Sequence, residues 1–143
     1  MKWVYDDGGR FEAGHSYHVK DCVCRALSII TGCPYREVQR ELKALDPVGS
    51  RGRDAYPQYL ASRGFVFFPV PDGEVVHLRA EELPPGRLVV QIKKHLVAVI
   101  NGVLHDTFDS SANGTVRVEG YYALPSSVES AARGKSFILR FSK

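Results

Sequence analysis

Two apolar runs, HLVAVI at 95–100 and VLHDTF at 103–108, flank the dipeptide Asn101-Gly102. Such a pair is the strongest local signal for a two-residue β-hairpin, because both central residues must take φ > 0. The turn sets the register: Ile100 pairs with Val103, and Val97 falls opposite Asp106. Strand alternation then puts His95, Val97 and Val99 on one face, opposite Leu104, Asp106 and Phe108. His95 and Asp106 become diagonal neighbours within reach of each other. The other face carries Leu96, Ala98, Ile100 and Val103, so the hairpin is expected to be buried on both sides. An imidazole and a carboxylate in so apolar a setting need partners. They are either an inert buried pair or a base and its orienter.

Upstream the period changes. Val23, Ala26, Leu27 and Ile30 recur at helical spacing, which predicts a helix from Cys22 to Thr31 with Asp21 as N-cap and Gly32 as stop. Pro34 suits the first turn of a second helix, whose buried stripe is Tyr35, Val38, Leu42 and Leu45. Asp46-Pro47-Val48-Gly49 ends it. A third helix is expected from Asp54 to Arg63, before Gly64. FVFFPV at 65–70 reads as a strand with Pro69 at an edge, and Glu81 to Leu83 as one turn. RLVVQI at 87–92, TVRV at 115–118, GYYAL at 120–124 and SFILRF at 136–141 supply further strands. Residues 1–20 read as irregular, with an apolar patch at Trp3-Val4-Tyr5. The expected class is α+β, with N-terminal helices packed on a C-terminal antiparallel β-sheet.

With 143 residues and no linker or repeat, a single domain over 1–143 is expected. Apolar content of 44% with 24% charged residues excludes disordered, collagen-like and disulfide-scaffold classes. The net charge of 19 − 16 = +3, with no basic run longer than Lys93-Lys94, gives no argument for a nucleic-acid partner. No apolar stretch approaches the roughly 20 residues that cross a bilayer, so no membrane partner is expected. The start has no apolar h-region, and three cysteines is an odd count. The expectation is a reduced, cytoplasmic protein.

Cys22 heads the first helix, where free N–H groups and the macrodipole favour a thiolate. A lone cysteine is otherwise a small buried hydrophobe. Cys22 as nucleophile, His95 as base and Asp106 as orienter would make a complete constellation for nucleophilic catalysis.

The order Cys, His, Asp, with the Cys opening a helix and the His on the sheet, resembles papain-like cysteine peptidases. It is most similar to compact papain-like proteins of bacteria and their phages. DCVCRALSIITGCPYREV at 21–38, VHLRAEELPPGRLVV at 76–90, KHLVAVINGVLHDTFD at 94–109 and GYY at 120–122 carry the resemblance, which touches most of the chain. DCVCRAL is also similar to the Asp-Gly-Asn-Cys-Leu-Phe-Arg-Ala run of ovarian-tumour-type deubiquitinases. That run has its aspartate three residues before the Cys, where Val19 stands here.

The resemblance implies a papain-like fold and a cysteine peptidase or isopeptidase that acts on a peptide or protein substrate through a thioester, without a cofactor. It would work in the cytoplasm of a bacterium or of a phage-infected host. One oxyanion donor would be the Cys22 backbone N–H. The family's Gln, about six residues upstream, is Ser16 here, which leaves Ser16, His18 and Lys20 as candidates for the second.

Two other functions fit the same residues. The thioester can pass to an amine, as in transglutaminase-like acyltransferases, or the domain can be a non-catalytic papain-like binding module.

The remaining residues have blander readings. Cys24 lies about 200° round the helix from Cys22 and is expected to pack, as is Cys33. His15, His18, Cys22, Cys24 and Cys33 match zinc spacing poorly, so no metal site is expected. Asp109 is a rival to Asp106 under a different loop length. His105 and His77 read as structural, and Arg25 as a brace to a nearby acid. Arg51, Arg53, Lys93 and Lys94 read as solvated, with a substrate carboxylate or phosphate as the other use. Trp3, Tyr121 and Tyr122 read as core rather than groove.

Overall fold

A computed structural model of the protein describes residues 1–14, 21–48 and 52–126. Asn101 and Gly102 take φ of 48° and 78°, the two positive values that a tight hairpin turn of this kind requires. They join β4 (His95–Ile100) to β5 (Val103–Asp106) in the expected register, with Ile100 opposite Val103 and Ala98 opposite His105. A second hairpin joins β3 (Arg87–Ile92) to β4 through Lys93-Lys94, where Lys94 has φ 57°.

The helices are α1 (Cys22–Thr31), α2 (Tyr35–Leu45) and α3 (Tyr56–Ser62). Helix α1 ends as expected, with Gly32 at φ 74° donating its N–H to the Ser28 carbonyl. Helix α3 is shorter than its sequence suggested and has Pro57 in its first turn. Leu45 departs from the expected α2 stripe. It is 39% exposed, while Tyr35, Val38 and Leu42 are buried. The last turn of α2 runs past the edge of the core.

Two further strands, β2 (Val66–Pro69) and β6 (Val118–Ala123), complete one side of the sheet, and one 3₁₀ turn covers Ala80–Glu82. Pro69 lies on an edge strand, as expected from its missing N–H. Of TVRV, only Val118 belongs to a strand, while Arg117 makes an isolated bridge to His77. SFILRF lies outside the described residues.

The expected antiparallel sheet requires correction. Trp3 and its neighbours form β1 (Lys2–Tyr5), which pairs in parallel with β5, so the six-stranded sheet is mixed, in the order β1-β5-β4-β3-β6-β2. The chain also begins with a strand rather than with the helices. The α+β class holds.

Each face of the sheet buries its own core. Val89, Leu96, Ala98 and Tyr122 pack with Val23, Leu27, Ile30 and the helices. Val90, Val97, Val99 and Leu104 pack on the other side with Phe68, Leu78 and Tyr121. The hairpin is thus buried on both faces, and Tyr121 and Tyr122 belong to the core. Among the described residues no helix is long and apolar enough to cross a membrane.

Candidate active site

Three element ends meet here. Cys22 is the first residue of α1, His95 the first of β4 and Asp106 the last of β5. The turn at Lys93-Lys94 brings His95 to the end of the sheet, and the Asn101-Gly102 turn brings Asp106 back beside it.

His95 Nε2 lies 2.8 Å from Asp106 Oδ2. An ionised carboxylate only accepts, so Nε2–H donates and Nδ1 is left for a second partner. Cys22 lies beside it, close enough for the His95 ring and the Leu96 N–H to favour its thiolate. The Cys22 N–H lies in the first turn of α1, where the earliest helical bond runs from the Arg25 N–H to the Asp21 carbonyl.

Asp106 is held from all sides. Ser110 Oγ donates to Oδ2 at 2.9 Å, the Thr107 N–H to Oδ1 at 2.7 Å, and Arg25 Nη2 approaches Oδ1 at 3.3 Å. Its backbone carbonyl accepts from Trp3 Nε1 at 3.0 Å and from the Asp6 N–H at 3.1 Å. The Phe108 ring sits 5.5 Å from the His95 ring, centroid to centroid.

The charges shift one another. For Cys22, burial opposes ionisation most, but the His95 hydrogen bond, the Leu96 N–H and the nearby His95 and Arg25 charges outweigh it, and the thiol falls below its ordinary range. For His95, burial again opposes the charged form, yet bonds to Asp106 and Cys22 raise it to about 9. For Asp106, burial is outweighed by His95, Ser110 and Thr107, and the carboxyl drops below its ordinary value. All three shifts favour a thiolate–imidazolium pair backed by a carboxylate.

Asp21 corrects one expectation. It precedes α1 but makes no side-chain cap bond. Its carboxylate turns inward, accepting from Arg10 Nη1 at 3.1 Å, from Arg25 Nη1 and from the Tyr35 hydroxyl at 2.5 Å. Arg25 therefore braces two acids, Asp21 and Asp106.

A cleft of about 470 Å³ opens beside the thiol, lined by Cys22 and His95 together with Arg53, Tyr56, Gln91, Lys94 and Glu119. Arg53 and Lys94 are exposed, as expected, and stand at the border of this cleft. A second hollow of about 500 Å³, at the Ile30-Thr31 end of α1, contains none of the three residues.

The other candidates separate from this site. Cys24 is buried and its thiol donates to the Tyr35 carbonyl at 3.6 Å, with burial pushing its pKa up to about 12. Cys33 packs against the core and lines the second hollow. Asp109 accepts from the Ser111 N–H and hydroxyl at 3.1 and 2.6 Å. His105 pairs with Asp6 at 3.1 Å and His77 with Glu82 at 3.3 Å. Trp3 is not core: it is 40% exposed and serves the Asp106 backbone. Among the described residues no three His, Cys, Asp or Glu side chains group as metal ligands. Ser16, His18 and Lys20 lie outside the described residues, as do His15 and Arg51.

Sequence reasoning did not single out Ser110, Arg10, Tyr56, Gln91 or Glu119. Ser110 carried a usable signal, because a hydroxyl four residues after a strand-ending Asp can fold back onto it. Comparison with family models, curated proteins and solved structures returns no match for this chain.

Proposed function

We propose that the chain is a single papain-like thiol hydrolase domain that cleaves a peptide, isopeptide or related amide bond. The observation that carries this reading is Cys22 and His95 side by side in one cleft, with His95 hydrogen-bonded to Asp106 at 2.8 Å. The Cys22 thiolate attacks the substrate carbonyl, and the Cys22 N–H meets the oxyanion that develops. The His95 imidazolium gives its proton to the leaving amine, which departs and leaves a thioester. Neutral His95 then takes a proton from water, whose oxygen attacks the thioester and releases the acid. Asp106 holds the ring in one tautomer throughout and stabilises its charged form.

The deciding measurement is the pH dependence of Cys22 alkylation by iodoacetamide, with peptide mapping and with Cys24 and Cys33 as internal controls. Selective labelling of Cys22 below pH 7, slowed in His95→Ala, is expected. Equal, slow labelling of all three thiols would sink the reading. So would undiminished hydrolysis by folded Cys22→Ala.

A further inference from the structure

An acyl-transfer site needs a second donor for the oxyanion beside the Cys22 N–H. Among the described residues lining the cleft, one side chain is an amide, Gln91. We propose that Gln91 donates the second oxyanion hydrogen bond, with Tyr56 and Glu119 fixing its amide for that task. This rests on the thiol hydrolase reading above.

Position supports it first. Gln91 lies directly across the β3–β4 ladder from Leu96, and both line the cleft with Cys22. Side chains alternate along a strand, so Gln91 shares the face of Val89, which packs with the helices. His95 and Asp106 come from β4 and β5, whereas Gln91 comes from β3, on the other flank of β4. Cys22, His95 and Gln91 nevertheless line one cleft, so a carbonyl bound at the sulfur has both the acid–base group and the amide on the walls of its pocket.

Orientation supports it second. The Tyr56 hydroxyl donates to Gln91 Oε1 at 3.1 Å, and Gln91 Nε2 donates to Glu119 Oε1 at 3.0 Å. A hydroxyl donor on one end and a carboxylate acceptor on the other permit one amide orientation. Glu119 takes one of the two N–H groups and leaves the other uncommitted among the described residues. The Tyr56 ring is itself fixed edge-on against Tyr122 at 5.9 Å. A donor fixed before substrate arrives is what makes such a site effective, since no reorganisation accompanies the reaction.

The test separates attack on a carbonyl from attack on carbon. Acylation by p-nitrophenyl acetate develops an oxyanion; alkylation by iodoacetamide does not. Both rates are measured for the wild-type protein and for Gln91→Met, which keeps the shape and removes the donor, with Cys22→Ala as the blank. Alkylation of Gln91→Met is expected within about twofold of wild type while acylation falls about 100-fold, the loss typical of one oxyanion donor. Tyr56→Phe, which releases the amide, should show a smaller loss in acylation alone. Unchanged acylation in Gln91→Met overturns the proposal. A matched fall in both rates also overturns it, because Gln91 would then support the thiolate rather than the oxyanion. Gln91→Ala is read by the same criteria if Gln91→Met does not fold. A wild-type Cys22 that reacts no faster than Cys24 and Cys33 with either reagent refutes the hydrolase reading itself, a result distinct from either failure of Gln91.

Discussion

Asp106 acts on the thiol at one remove. It raises His95 to about 9, and His95 in turn lowers Cys22. Asp106→Asn keeps the shape and removes the charge, so the His95 titration followed by NMR should move down by about one unit or more. The sign for stability follows from linkage. A histidine raised in the folded state contributes fully below its unfolded value of about 6.5, and loses that contribution as pH rises through its folded value. The lowered Cys22 pulls the opposite way, so the effect is clearest in Cys22→Ala. There the urea midpoint should fall as pH rises above about 6.5, and adding Asp106→Asn should flatten it. The His95–Asp106 pair was legible in the sequence because a two-residue turn sets register without help from the rest of the fold, whereas Cys22 was readable only as the start of a helix. The braces of the site were not legible. Arg10 and Trp3 reach Asp21 and Asp106 across long stretches of chain, where no periodicity connects them.

Helix α1 carries both the Cys22 thiol and, three residues on, the cation that stands between two buried acids. Arg25 is 6% exposed and bonds to Asp21 and Asp106, while its Nε has no partner among the described residues. Arg25→Leu leaves two buried carboxylates short of a countercharge, and a loss of about 3–5 kcal/mol in urea unfolding is expected. Arg10 remains beside Asp21 and the His95 ring beside Asp106, so each acid keeps one partner, and Cys22 alkylation at neutral pH should slow because the Arg25 charge also favours the thiolate. The helix itself was readable from its apolar spacing and from Gly32. The inward turn of Asp21 was not, because an Asp before a helix normally caps it, and here two arginines and a tyrosine compete for the same oxygens. Strand β1 was missed for a related reason. Four residues, KWVY, next to Asp-Asp-Gly-Gly carry little pattern, and their partner is β5, about a hundred positions away.

Across the molecule, the N-terminal segment ties the sheet edge to the helix that bears the thiol. After β1 the chain turns at Gly8 and Gly9, with φ of 65° and 92°, and the two glycines differ in what a methyl would meet. A Cβ on Gly8 would stand 2.9 Å from the Arg25 carbonyl oxygen, but one on Gly9 would meet Tyr35 Cβ at an ordinary 3.6 Å. Gly8→Ala should therefore destabilise by more than about 1 kcal/mol, and by more than Gly9→Ala, in parallel denaturation curves. Only the backbone clash separates the two variants, since both force alanine to positive φ. The same segment contains the chain's one tryptophan, and its indole N–H is bonded to the Asp106 carbonyl. Intrinsic fluorescence of this protein is thus a local signal: its emission wavelength reports the environment of β1 and Asp106, and can be followed in the native chain without any label.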